Sequence, residues 1–242
     1  MWGQVRTRWL AMAMAFAIAA GIAVVSPVNA QGVRQTTVSI GGQDVILLVD
    51  PDQCLLERNH PSDRRVYDLV ERGLAGQNVL LLATADCDQI EPWRNGTRPT
   101  LDDFAQVQVG LVHRTRNLAG REEATSKEIC GALRKGGDAL ITGPVDAVRE
   151  RFNKASDTVK LNETQFVGVV HEDADACYAS LLQRIRTEQG ADKLILCVYA
   201  HVVVRGRLLY MYRYTEGDNY ASMVKITDLL RKSVQAHLDA NR

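Results

Sequence analysis

The sequence predicts an α+β fold: a mostly antiparallel sheet covered by helices, formed as one domain over residues 31–242. Two features predict the sheet. β-rich runs at 36–40 and 45–49 are joined by Gly41-Gly42, and longer runs at 193–204 and 207–214 by Arg205-Gly206. Both are hairpin signatures, because glycine supplies the positive φ of a tight turn. A third feature predicts the cover. Residues 218–238 carry Met223, Ile226, Leu230, Val234 and Leu238 along one helical stripe.

The remaining elements follow in order. Asp50-Pro51-Asp52 ends the second strand, because proline cannot continue a ladder. Residues 61–75 read as a helix that starts at Pro61-Ser62-Asp63, turns Val66, Leu69, Val70 and Leu74 inward, and stops at Gly76. The unbroken apolar run 79–83 reads as a buried central strand. Residues 84–104 read as a long irregular segment, with Thr100 as an N-cap and Asp103 as its capping-box acid. Alternation over 106–111 suggests a half-buried strand. A helix fits 119–135, with Ile129 and Leu133 inward, and another opens at Pro144. The stretch 113–160 has the least regular pattern in the chain. Residues 165–171 read as a strand. Asp173 or Asp175 then caps a helix with Ala174, Cys177, Leu181 and Ile185 inward, ended by Gly190.

Residues 1–30 read as an export signal. Arg6 and Arg8 precede an uncharged run over 9–25, and Ser26-Pro27-Val28-Asn29-Ala30 closes it with a turn and small residues. That order places cleavage between Ala30 and Gln31 and predicts a periplasmic or secreted protein. A retained anchor is the alternative. The apolar run is slightly short of the roughly 20 residues a spanning helix needs, and Pro27 favours a peptidase site.

The chain has 29 basic and 29 acidic side chains; without Arg6 and Arg8 the balance over 31–242 is 27 to 29. This near-neutral, interleaved charge carries no footprint for nucleic acid and no polybasic membrane patch. Cys54, Cys87, Cys130, Cys177 and Cys197 lack C-x-x-C spacing, so zinc and thioredoxin-type chemistry have no support. Cys130, Cys177 and Cys197 sit among apolar neighbours and read as small buried hydrophobes. Cys54 and Cys87 each follow a predicted strand. If those strands are neighbours, their ends come within disulfide reach; a bridge and two separate thiols both remain open.

No P-loop, Gly-x-Gly-x-x-Gly or Gly-x-Ser-x-Gly is present, so the usual nucleotide and serine-hydrolase signals are missing. His171-Glu172-Asp173-x-Asp175 could offer oxygen and imidazole ligands, but acids at a helix start are expected from capping alone. His201 lies between Ala200 and Val202 in a strand, where it could act as a base with His171 or with an acid. The acids flanking Cys87 disfavour a reactive thiolate. Tyr210, Tyr212 and Tyr214 share one face of a strand, with Tyr199 in reach on its partner. They read as a ladder, either covered by the terminal helix or left wet.

Over 194–241, the long hairpin with Arg205-Gly206-Arg207 at its turn, the Tyr210-x-Tyr212-x-Tyr214 strand and the terminal helix resemble the C-terminal half of PsbP-like domains. Those are α/β/α sandwiches often found as exported accessory proteins. The segments Asn59-His60-Pro61-Ser62-Asp63-Arg64-Arg65 and Ala85-Asp86-Cys87 also resemble stretches of exported bacterial proteins of unassigned activity. The resemblance implies a fold and a compartment and carries over no catalytic residue. The expected function is that of an exported, non-catalytic accessory or binding protein, with an unknown protein or small ligand as partner. It needs no cofactor or metal, binds no nucleic acid, and leaves the membrane after cleavage. The alternative is a periplasmic hydrolase built on His171, His201 or Cys87, which requires two of them to meet an acid in one pocket.

Overall fold

The chain enters as a hairpin, β1 (Gln35–Ile40) and β2 (Gln43–Leu48), which pair only with each other. In this computed structural model, residues 34–242 are described; the leader and its Ala30/Gln31 junction lie outside them. Next come β3 (Gln53–Leu55), α1 (Pro61–Leu74), β4 (Asn78–Asp86), α2 (Cys87–Arg94), β5 (Phe104–Gly110), and a short 3₁₀ turn, Leu111–His113. A long helix, α3 (Glu122–Ala155), leads into β6 (Val159–Glu172), β7 (Ala176–Thr187), β8 (Asp192–Val204) and β9 (Arg207–Glu216), and α4 (Tyr220–Ala240) ends the chain. The main sheet has the order β3-β4-β5-β9-β8-β7-β6, and every neighbouring pair is antiparallel. The predicted architecture, a mostly antiparallel sheet flanked by helices, is therefore present.

Side-chain alternation sorts the sheet into two faces. Leu196, Val198, Ala200 and Val202 of β8 point to one side, where α4 and the β1–β2 hairpin cover them with Ile226, Leu230, Val234, Val45 and Leu47. Cys197 and Tyr199 point to the other side, where α3 contributes Cys130 and Leu133. The near end of that second face is covered by α1 and α2, through Tyr67, Leu74 and Ile90 against Leu80 and Ala85. Asp63, fully buried in α1, fastens α1 to α2. It accepts Arg94 Nε at 3.0 Å and the Glu57 N–H at 2.7 Å. Burial alone would raise its carboxyl pKa, but the Arg94 fork outweighs burial and holds it below the ordinary value.

The outer edge of β2 is capped by side chains rather than by a strand. Asn241 Oδ1 accepts the Ile46 N–H at 2.8 Å, and its Nδ2 donates back to the Ile46 carbonyl at 2.8 Å. His237 Nε2 accepts the Leu48 N–H at 3.0 Å, with Nδ1 2.8 Å from the Ser233 carbonyl. Those two bonds fix a neutral ring with its proton on Nδ1, in keeping with a pKa that burial lowers. At the far end of the sheet, buried Arg213 gathers three carboxylates: Asp52 at 2.7 Å, Asp103 at 3.0 Å and Asp50 at 3.4 Å.

Several elements differ from the sequence reading. The helix expected after Asp173 is strand β7. Ala176, Tyr178 and Ser180 pack toward α4 while Cys177, Ala179 and Leu181 pack toward α3. A strand buried on both faces has no period-two signature, so its apolar spacing passed for a helix. Asp173 instead shapes a turn, accepting the Asp175 and Ala176 N–H groups at 3.1 and 2.8 Å, and Gly190 closes the β7–β8 hairpin. The segment 84–104 is irregular only over 95–103: β4 runs to Asp86, whose side chain caps α2 by accepting the Asp88 N–H. Thr100 is no helix cap, since β5 follows, and its hydroxyl donates to Asp102 at 2.6 Å. The first of the two helices expected in 119–160 ends at its expected boundary, at Gly136, whose φ/ψ of −154°/32° leave the helical region, but the second begins directly after that kink rather than at Pro144. A Cβ on the next residue, Gly137, would collide with the Phe166 ring of β6. The glycine pair thus lets the helix bend close to the sheet edge. Finally, the tyrosine row lies under α3, because the terminal helix takes the opposite face.

Candidate functional site

The β8–β9 hairpin register sets the floor of a cavity beside α3. His201 pairs with Tyr210 across the strands, so both side chains point to the α3 face. Leu208, two residues before Tyr210, joins them. Thr125, Glu128 and Ile129 from the first half of α3 form one wall of this pocket, and the loop after β5 closes it with His113, Arg116, Leu118 and Arg121. The volume of this open pocket is about 290 Å³, room for a small organic molecule.

The loop is held by backbone bonds and one arginine. Leu111 N–H donates to Gln77 at 2.8 Å and Leu118 N–H donates to Gly206 at 2.9 Å. Gly206 is required here: its φ is +74°, and a Cβ would strike Asn117. Arg207 is buried, yet its guanidinium spends its donors on carbonyls. Nε bonds Ile40 at 2.9 Å, Nη2 bonds Gly41 at 3.0 Å, and Nη1 bonds Arg116 at 2.9 Å. It therefore staples the β1–β2 turn to the pocket loop through one planar group.

The pocket mixes charge with sealed polarity. Arg121 Nη2 lies 3.2 Å from Glu128 Oε1, an exposed pair worth little to stability. His201 stacks edge-on against Tyr199 at 5.3 Å and Tyr210 at 5.0 Å. Its Nδ1 is sealed from solvent with no hydrogen-bond partner. Burial, aided by nearby His113, lowers the His201 pKa to about 4, so the ring is neutral at pH 7. Burial and Arg116 also lower the pKa of His113. The ring row continues away from the pocket: Tyr199 to Tyr212 at 5.6 Å, Tyr212 to Tyr214 at 6.1 Å, and Tyr214 to Phe104 at 4.2 Å.

Of the sequence-predicted candidates, only His201 lies in this pocket. His171 pairs with Tyr178 and packs against its ring at 5.5 Å, on the α4 face, so the two histidines are on opposite sides of the sheet. Glu172 pairs with Arg134 at 2.5 Å; Asp173 uses Oδ1 in its turn, and its Oδ2 lies 3.9 Å from His171 Nε2. Among the described residues, no group of three His, Cys, Asp or Glu side chains is placed to hold a metal. The Cys87 sulfur stands 2.10 Å from that of Cys54, which puts β3 and the start of α2 at bonding distance. Cys130 and Cys177 are likewise 2.05 Å apart, joining α3 to β7. This corrects their reading as plain apolar fillers, which rests on their apolar sequence neighbours alone. Cys197 is the free cysteine among the described residues, and burial pushes its thiol far above the ordinary pKa.

His113, Arg116, Arg121 and Glu128 were missed by sequence reasoning. The Arg205-Gly206 turn fixes only His201 opposite Tyr210; no local signal in the sequence marks the other four.

No family model matches the chain, and no curated protein matches it. Among solved structures, the Ran-binding protein Mog1p of Saccharomyces cerevisiae is similar over 86% of this chain and 89% of its own, at 7% identity and a TM-score of 0.30. A likeness that distant carries no argument about function.

Proposed function

We propose that the chain is an exported, non-catalytic binding protein whose ligand site is the pocket under α3. The observation that carries this reading is a cavity of about 290 Å³ floored by a neutral imidazole and rimmed by two arginines. A hydrolase needs two of His171, His201 and Cys87 beside an acid. His171 is on the other face, Cys87 lies at bonding distance from Cys54, and Glu128 is engaged by Arg121. Export is supported by the leader pattern and by two cysteine pairs at disulfide distance, which persist in oxidising compartments. Among the described residues no helix is long and apolar enough to cross a membrane.

The test is fragment mapping by amide NMR on the processed protein recovered from a periplasmic fraction. Binders should shift Thr125, Ile129, His201 and Tyr210 together, and the intact mass should begin at Gln31. Shifts that map only elsewhere would overturn the pocket assignment, and full-length protein confined to the cytoplasm would overturn export.

A further inference from the structure

We infer that the pocket takes a small organic monocarboxylate whose far end carries a second oxygen, an inference that rests on the pocket being a ligand site. The rim supplies the first determinant. Arg116 and Arg121 against the single acid Glu128 leave one positive charge in excess, so the complementary ligand is a monoanion. An arginine fork favours carboxylate geometry. Arg116 is the more available of the two, because Arg121 already faces Glu128.

The middle of the pocket supplies the second determinant. Leu118 and Leu208, 4% and 5% exposed, with Ile129 beside them, offer an apolar belt that suits a ring or short hydrocarbon body. The floor supplies the third. His201 Nδ1 is shut into the wall unpaired, and a proton placed there would be an unsatisfied donor. The neutral ring then keeps its proton on Nε2, the nitrogen left to meet a ligand, and donates to an oxygen at the far end. The Tyr210 hydroxyl, beside Gly110 and His113 and 3.0 Å from where a Gly110 Cβ would sit, is a second polar group on this floor strand.

The probes are 4-hydroxybenzoate, benzoate and 4-hydroxybenzamide, titrated calorimetrically into the processed protein. The acid with a hydroxyl should bind most tightly, and benzoate and the uncharged amide should each lose about tenfold, the usual consequence of one missing charge-assisted or buried hydrogen bond. Arg116→Gln should weaken both acids about tenfold and leave the amide unchanged. His201→Phe, which keeps ring packing, should erase the preference for 4-hydroxybenzoate over benzoate. Equal binding of acid and amide, or acids indifferent to Arg116→Gln, would overturn the carboxylate class while the pocket reading stands on the mapped amide. Failure of all three probes would overturn the class as well, and the fragment map would then decide the pocket separately.

Discussion

Removing the Cys130–Cys177 link should cost the fold heavily and the pocket first. The double variant Cys130→Ala/Cys177→Ala opens a closed loop spanning 47 residues. Loop-closure entropy for that span comes to about 4 kcal/mol at 25 °C. For a domain of this size each kcal/mol lowers Tm by roughly 2–4 °C, so the melt should fall by roughly 8–16 °C. The pocket should loosen with it, because Cys177 pairs with His201 across β7–β8 and Cys130 follows Ile129 on α3. The Cys54–Cys87 pair closes a 33-residue span, so its removal should cost about as much without touching those walls. The assay is calorimetric melting of both double variants, paired with amide spectra of Thr125 and His201. A melt within 2 °C of the parent, or a non-reducing peptide map with free thiols at Cys130 and Cys177, would refute the reasoning.

Two further outcomes follow from named contacts. His201 has its pKa lowered to about 4 by burial and then by His113, so between pH 6.5 and 4 the unfolded chain binds the extra proton. Its stabilisation is therefore complete above pH 6.5 and is lost as pH falls, by about 2 kcal/mol at pH 5. Urea unfolding at pH 7.5 and 5.0 should show His201→Phe flattening that slope, and equal slopes would disprove it. Asn241→Ala deletes both bonds to Ile46 and should cost about 1–3 kcal/mol. Hydrogen exchange should quicken at the Ile46 amide, and unchanged protection there would show that the pin is idle.

What was readable in the sequence was what depends on neighbours along the chain. The two glycine-turned hairpins, the apolar run now inside β4 and the stripe of α4 each carry their own periodicity. Elements whose environment comes from distant partners were misread. The first half of strand β7 is buried on both faces because α4 and α3 cover it from both sides, so neither period is visible in Ala176–Leu181. Helix α2 is only eight residues long and contains Pro92, which reads as a breaker. The pocket was the hardest case. It joins the 113–121 loop, the first half of α3 and the β8–β9 floor, segments up to roughly a hundred residues apart, and no motif spans them. Arg207 binds that loop entirely through main-chain oxygens, so nothing in the loop's side chains announces the attachment.

Trp93 is the single indole in 31–242, and it sits on α2 with the Arg65 guanidinium 5.9 Å from its ring. Indole emission from residues 31–242 therefore comes from one corner of the fold. Emission excited at the red edge reports the corner built from α1 and α2, whereas phenol absorbance sums seven tyrosines, four of which (Tyr199, Tyr210, Tyr212 and Tyr214) form the row beneath α3. A ligand could fill the cavity and leave tryptophan fluorescence almost silent, so a flat indole trace would say nothing against occupancy, and difference spectra of the tyrosines are the channel to watch.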